Sequence, residues 1–139
     1  FPGIPIKLLR PDISLTLLDA RDKKVKFLKQ VCAELHLPDV NCVHGRAEDL
    51  AKDKSYRGQF DVAVARAVAN VGTLAEILLP LLKVGGTALL LKGPKVEDEI
   101  IEAKEIIKSM GAKVLGNVTY TLPGQIAEMR NLVSLRREK

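Results

Sequence analysis

Gly85-Gly86-Thr87-Ala88-Leu89-Leu90-Leu91-Lys92 is the stretch on which the fold turns. The glycine pair reads as a turn, and Thr87 to Leu91 as an apolar run of strand length closed by a cation. A run of this kind, without polar alternation, suits a strand covered on both faces in a parallel sheet flanked by helices. Immediately upstream, Thr73 to Leu82 has helical period, and Pro80 is expected to kink or end it. Downstream, Val96, Ile100, Ala103, Ile107 and Met110 line one helical face, with Pro94 before the start and Gly111 as the stop. Glu97, Asp98 and Glu99 in its first turn, and Lys104 and Lys108 in its second half, complement the helix dipole.

The same alternation of periods extends toward the beginning of the chain. Ile13 to Leu18 reads as a strand closed by Asp19, and Val40 to His44 as another ended by Gly45. Between them Val25, Leu28, Val31 or Cys32, and Leu35 recur at spacings of three and four, with Asp22 as the expected N-cap. Glu48 to Lys54 is a short polar turn or helix, and Phe60 to Arg66 is apolar again. Lys113 to Leu122 and Asn131 to Arg137 are strands with no helix between them, which predicts an antiparallel C-terminal edge. The fold class is therefore α/β, a doubly wound and mostly parallel sheet with helices on both faces.

The 139 residues fit one domain, expected over 1–139, and 47% apolar with 28% charged residues excludes a disordered or collagen-like chain. No apolar run approaches the ~20 residues of a membrane-spanning helix, and no signal-peptide pattern opens the chain, so a cytoplasmic protein without membrane contact is expected. Cys32 and Cys42 form no disulfide framework and have no third or fourth cysteine at zinc-like spacing. They read as small core residues in a reducing compartment. His36 and His44 stand singly, so no metal is expected. A net charge of +5 and a pI near 9.3 make nucleic acid a candidate partner.

In open parallel sheets, ligands sit outside the carboxyl ends of the strands. The residues at those ends are Asp19, then Gly45-Arg46-Ala47-Glu48, then Arg66, then Lys92-Gly93. An acid at the end of an early strand is where doubly wound folds grip a ribose diol, because its two oxygens accept two hydroxyl protons. A guanidinium such as that of Arg66 stays charged and must be paired or face solvent at a cleft.

These blocks resemble a class I S-adenosyl-L-methionine (AdoMet) methyltransferase. Phe1-Pro2-Gly3-Ile4-Pro5, Leu17-Leu18-Asp19, Lys26-Phe27-Leu28, Val43-His44-Gly45-Arg46-Ala47-Glu48, Ala65-Arg66-Ala67 and Leu91-Lys92-Gly93 resemble the RsmG (GidB) family over essentially the whole chain. That resemblance implies a Rossmann-like fold and methylation of guanine N7 in the 530 loop of 16S ribosomal RNA. It also implies AdoMet as cofactor, 16S rRNA or the small ribosomal subunit as partner, and a monomer at full length. Phe1, the Asp19-Ala20-Arg21 stretch, the Ala47-Glu48 pair and Arg66 match cofactor-contacting positions of the family. Lys92, Arg130, Arg136 and Arg137 are expected phosphate contacts, since nonspecific RNA affinity comes largely from such cations. Family members carry a glycine-rich loop and a central first strand before the position of Phe1. The chain is therefore expected to lack both, with the strand belonging between those of Asp19 and Arg66.

The implied chemistry needs no catalytic residue. The donor is already activated, and guanine N7 has a free in-plane lone pair, so alignment is the main requirement. Two other readings keep the fold: a basic RNA-binding module without chemistry, and a nicotinamide-dependent dehydrogenase. Short-chain dehydrogenases place Tyr and Lys four apart, whereas Tyr56 is followed by Phe60 and Tyr120 by Gly124.

Overall fold

The computed structural model describes residues 3–66, 69–124 and 128–139, which form two compact units, Phe1–Leu50 and Ala51–Lys139. In the first unit β1 (Leu15–Asp19) and β2 (Val40–His44) pair in parallel, in register from Leu15↔Val40 to Asp19↔His44. A parallel pair needs a crossover. Here it is α2 (Asp22–Glu34), which packs on both strands and buries Val25 and Cys32. The expected Asp22 cap is displaced by one residue: Arg21 is the N-cap, without a side-chain cap bond, and Asp22 is the first helical residue. Its carboxylate instead pairs with Lys26 one turn on, at 3.1 Å.

A short helix, α1 (Gly3–Leu9), was not legible in the sequence. Pro5 falls in its first turn, where a missing N–H is tolerated. A Cβ at Gly3 would overlap the tip of the Leu17 side chain, so the helix lies close against β1 at this glycine. Lys7, fully buried, donates to the carbonyls of Pro11 and Ile13 and so ties the helix end to the turn that follows.

The second unit is a four-stranded sheet in the order β3-β4-β6-β5, built from β3 (Phe60–Arg66), β4 (Leu82–Lys92), β5 (Ala112–Leu122) and β6 (Glu128–Arg137). β3 and β4 are parallel, and the β4–β6 and β6–β5 pairs are antiparallel, as the lack of a helix near the chain end requires. Among the described strands β1 pairs with β2 only, and β3 with β4 only.

Helices α4 (Val71–Leu78, continued by a 3-10 turn at Leu79–Leu81) and α5 (Glu97–Ser109) pack on each other and on this sheet. The core contains Leu74, Leu78 and Leu79 with Ala103 and Ile107, and Leu82, Ala88 and Leu90 of β4 with Val133 and Leu135 of β6. Each fully buried leucine or valine contributes roughly 1.5–3 kcal/mol over an exposed one. The expectation that Thr87–Leu91 is covered on both faces is corrected: Ala88 and Leu90 are buried, whereas Thr87, Leu89 and Leu91 are half-buried.

Gly85 and Gly86 lie within β4 instead of forming a turn before it. The β3–β4 register jumps from Phe60↔Leu82 to Val62↔Thr87, so the residues between Leu82 and Thr87 bulge out of the ladder. Gly85 takes φ +89°, and a Cβ on Gly86 would stand 2.9–3.1 Å from the carbonyl oxygens of Lys83, Asp61 and Phe60. These are backbone atoms and yield little. Gly86→Ala is expected to cost about 2 kcal/mol by urea denaturation through this crowding, whereas Gly85→Ala, whose Cβ would enter open space, carries only the strain of an L-residue at φ +89°, roughly 1–2 kcal/mol. Unchanged stability in Gly86→Ala would show that backbone crowding does not govern the bulge.

Candidate functional site

The carboxyl end of the β1–β2 pair carries most of the expected cofactor residues. Asp19 closes β1, and its side chain is 21% exposed. It accepts hydrogen bonds from the Arg21 backbone N–H at 2.9 Å and from Arg21 Nε and Nη2 at 3.1 and 3.2 Å. The Asp19-Ala20-Arg21 turn is thereby held by its own side chains. Hydrogen bonds from the Arg21 side chain and backbone hold the Asp19 carboxyl below the usual carboxylate range. Three donors do not saturate an ionised carboxylate, which offers about four lone-pair sites and accepts bifurcated contacts.

The parallel register sets what stands beside Asp19. Its carbonyl accepts from the Gly45 N–H at 3.0 Å, and His44 Nε2 lies 3.0 Å from the Ala20 carbonyl oxygen. The chain then enters the short helix α3 (Ala47–Leu50), which starts at Ala47 and exposes Glu48 in its only turn. Asp19, Ala20, Arg21, Ala47 and Glu48 therefore belong to one end of one strand pair. His44 links the β2 end to the turn after β1.

At the carboxyl end of the β3–β4 pair, Arg66 is exposed and stands opposite Leu91. Lys92 is buried. Its Nζ donates to the Ala69 carbonyl at 2.5 Å and pairs with Glu99 at 3.1 Å. The same Glu99 oxygen accepts the Val71 N–H at 3.1 Å, and the Asn70 side chain caps α4 by accepting the Thr73 N–H at 2.8 Å. Lys92 thus joins the β4 end to the start of α4 and does not present its ammonium to solvent. Asn131, also buried, donates to the Gly93 carbonyl at 2.7 Å and accepts from Asn117 and Thr119. The sequence reading missed Glu99, Asn70 and Asn131. Asn70-x-x-Thr73 is a legible cap pattern, whereas the roles of Glu99 and Asn131 depend on residues 28 and 38 positions away.

The remaining expected RNA contacts lie on β6. Arg136 is exposed and faces Lys113 across the β5–β6 ladder, while Arg130 is half-buried opposite Tyr120. Arg137 points to the other side of the strand, donating to the Leu82 carbonyl at 2.6 Å and to the Lys139 carbonyl at 3.1 Å. Phe1 lies outside the described residues. Among the described residues no group of three or more His, Cys, Asp or Glu is placed to hold a metal ion, and no helix is long and apolar enough to cross a membrane.

Comparison with known proteins places this geometry. The family model described as rRNA small subunit methyltransferase G (GidB) matches residues 1–131. The ribosomal RNA small subunit methyltransferase G of Clostridium kluyveri is 52% identical over 114 residues, covering 82% of this chain and 48% of that protein. The protein of the same name from Lactobacillus delbrueckii subsp. bulgaricus is 45% identical over 139 residues, covering 100% of this chain and 58% of that one. The chain thus spans about half the length of the curated relatives it matches. Among solved structures, M. jannaschii TYW2 in complex with AdoMet aligns with TM-score 0.71 at 14% identity, over 96% of this chain and 63% of that one. An rRNA methylase from Streptococcus thermophilus aligns with TM-score 0.61 at 18% identity, over 89% and 73%. These structural likenesses establish the class I methyltransferase, Rossmann-like fold. The sequence match establishes the family: this chain belongs to the rRNA small subunit methyltransferase G (GidB) family.

Proposed function

We propose that the intact protein transfers a methyl group from S-adenosyl-L-methionine to guanine N7 in the 530 loop of 16S rRNA, acting on the RNA or on the small ribosomal subunit. The observation that carries this reading is the Asp19 carboxylate. It stands ionised at the carboxyl end of parallel β1, beside the β2 end, in a chain of an rRNA methyltransferase family. The donor set fits the cofactor: an acceptor-only group, partly open to solvent, matches the two hydroxyl donors of a ribose. When bound, the cofactor supplies a methyl group already activated by its sulfonium sulfur.

The residues of this chain then have mainly to bind and align. Asp19 accepts the ribose hydroxyls while Arg21 holds its carboxylate in place and charged. Ala20 gives the turn a side chain small enough for close approach, and Ala47 and Glu48 border the adenine. Phe1 and Arg66 complete the proposed cofactor contacts. Arg130 and Arg136 are the proposed phosphate contacts, with Arg137 and Lys92 supporting the strands that carry them. No residue acts as a general base, because guanine N7 carries no proton to remove. A cation aimed at the base would oppose the positive charge that the ring gains, so the role of Arg66 is binding.

The test is mass spectrometry of 16S rRNA from cells lacking the gene, with and without complementation. Loss of 7-methylguanosine from the 530 loop and its restoration are expected. An unchanged level would remove the substrate assignment. Calorimetry separates the RNA-binding alternative, since a module without chemistry gives no heat with S-adenosylmethionine.

A further inference from the structure

The two cysteines stand together. Cys32 is buried in the last turn of α2, and Cys42 is half-buried in the middle of β2. The connection folds back sharply through His36 and Asp39, two non-glycine residues with φ of 51° and 52°. The Leu37 N–H donates to the Cys32 carbonyl at 3.1 Å, which sets β2 running back beneath the helix end. Both cysteines consequently line one open groove, together with Lys29, Ala33, Leu37 and Val40. Cys42 stands opposite Leu17 in the parallel register, so its position is fixed by the strand ladder.

We infer that Cys32 and Cys42 form a paired-thiol site that a small disulfide oxidant, of the oxidised-glutathione class, closes into an intramolecular disulfide. Disulfide closure needs Cβ atoms roughly 3.5–4.5 Å apart, and the two side chains share one open groove. Cys42, the more accessible, loses its proton to solvent, and its thiolate attacks one sulfur of the oxidant. A mixed disulfide forms and one small thiolate leaves. Cys32 then loses its proton and attacks the Cys42 sulfur, expelling the second small thiolate. Two protein thiols are oxidised and one disulfide is reduced to two thiols, so electrons and protons balance.

Burial, and then the neighbouring Cys32 thiol, push the Cys42 thiol above its ordinary pKa, against a weaker pull from Lys29. The thiolate fraction at neutral pH is therefore small, and closure is expected to be slow.

The experiment incubates the intact protein with oxidised glutathione, blocks remaining thiols with iodoacetamide and digests with trypsin. Cleavage after Lys29 and Arg46 leaves both cysteines in the single peptide Gln30–Arg46. The expected product is that peptide two hydrogens lighter than its reduced form, without alkyl or glutathione adducts, and restored by dithiothreitol. Cys32→Ser is expected to stop at a glutathione adduct on Cys42. A doubly alkylated peptide, one carrying two glutathione adducts, or cross-links from either cysteine to other peptides would overturn the proposal.

Discussion

Asp19→Ala in the intact protein is expected to weaken S-adenosylmethionine binding by about 100-fold. Two hydroxyl groups donating to a carboxylate each contribute about 1.5 kcal/mol at the lower end of the charged range, and about 2.7 kcal/mol corresponds to that factor. Asp19→Asn keeps the shape but offers one acceptor oxygen in place of two, so a loss of about tenfold is expected. Calorimetry on both variants reads the two values. Unchanged binding in Asp19→Ala would exclude the carboxylate from the site and remove the cofactor reading built on it.

The pH dependence follows from the same residue. The native-state pKa of Asp19 is depressed, with the Arg21 side chain the largest cause. The charged form is therefore fully present above the ordinary carboxylate value and is lost only as pH falls through the lower native one. Affinity should stay level down to mildly acidic pH and then fall. In Arg21→Ala the fall should begin at higher pH, because the donors that hold the proton off are gone. The exposed Arg10–Asp12 pair in the same unit offers an internal reference, with the Asp12 carboxyl lowered to about 2 chiefly by its hydrogen bonds with Arg10.

Lys92→Met should give the largest loss of stability. The ammonium is buried against the Ala69 carbonyl and the Glu99 carboxylate, and methionine fills much of the volume without replacing the charge. Breaking a buried pair from one side costs about 3–5 kcal/mol. Glu99 is 28% exposed, so solvent relieves part of this and about 2–3 kcal/mol is expected. The double variant Lys92→Met with Glu99→Leu removes the stranded charge and should recover part of the loss, although the Val71 N–H then loses its acceptor. Urea denaturation of the two variants measures the difference. A double variant no more stable than the single one would show that the stranded carboxylate is not the source of the cost.

Sequence reading recovered elements whose pattern is local. β2 and β3 run over the expected residues, Val40–His44 and Phe60–Arg66, and of the expected apolar face the N-cap Val96 and the α5 residues Ala103 and Ile107 are buried. It failed where a local signal had two meanings. Gly85-Gly86 signals a turn, yet the same freedom serves a bulge inside β4, and only the carbonyls of Phe60 and Asp61 decide between them. Lys92 ends an apolar run and so looks like a solvated cation, until Glu99 and Ala69 are brought to it.

Periodicity, strand-end residues and the ordered family blocks were enough to establish an α/β methyltransferase fold, because alternation and spacing act between neighbours in the chain. The tertiary structure alone decided which charges are available. It buried Lys92 against the Ala69 carbonyl, turned half-buried Arg137 onto the Leu82 carbonyl and brought Cys32 and Cys42 to one groove. Whether a side chain meets solvent or a partner is settled by groups distant in sequence, and no local pattern encodes them.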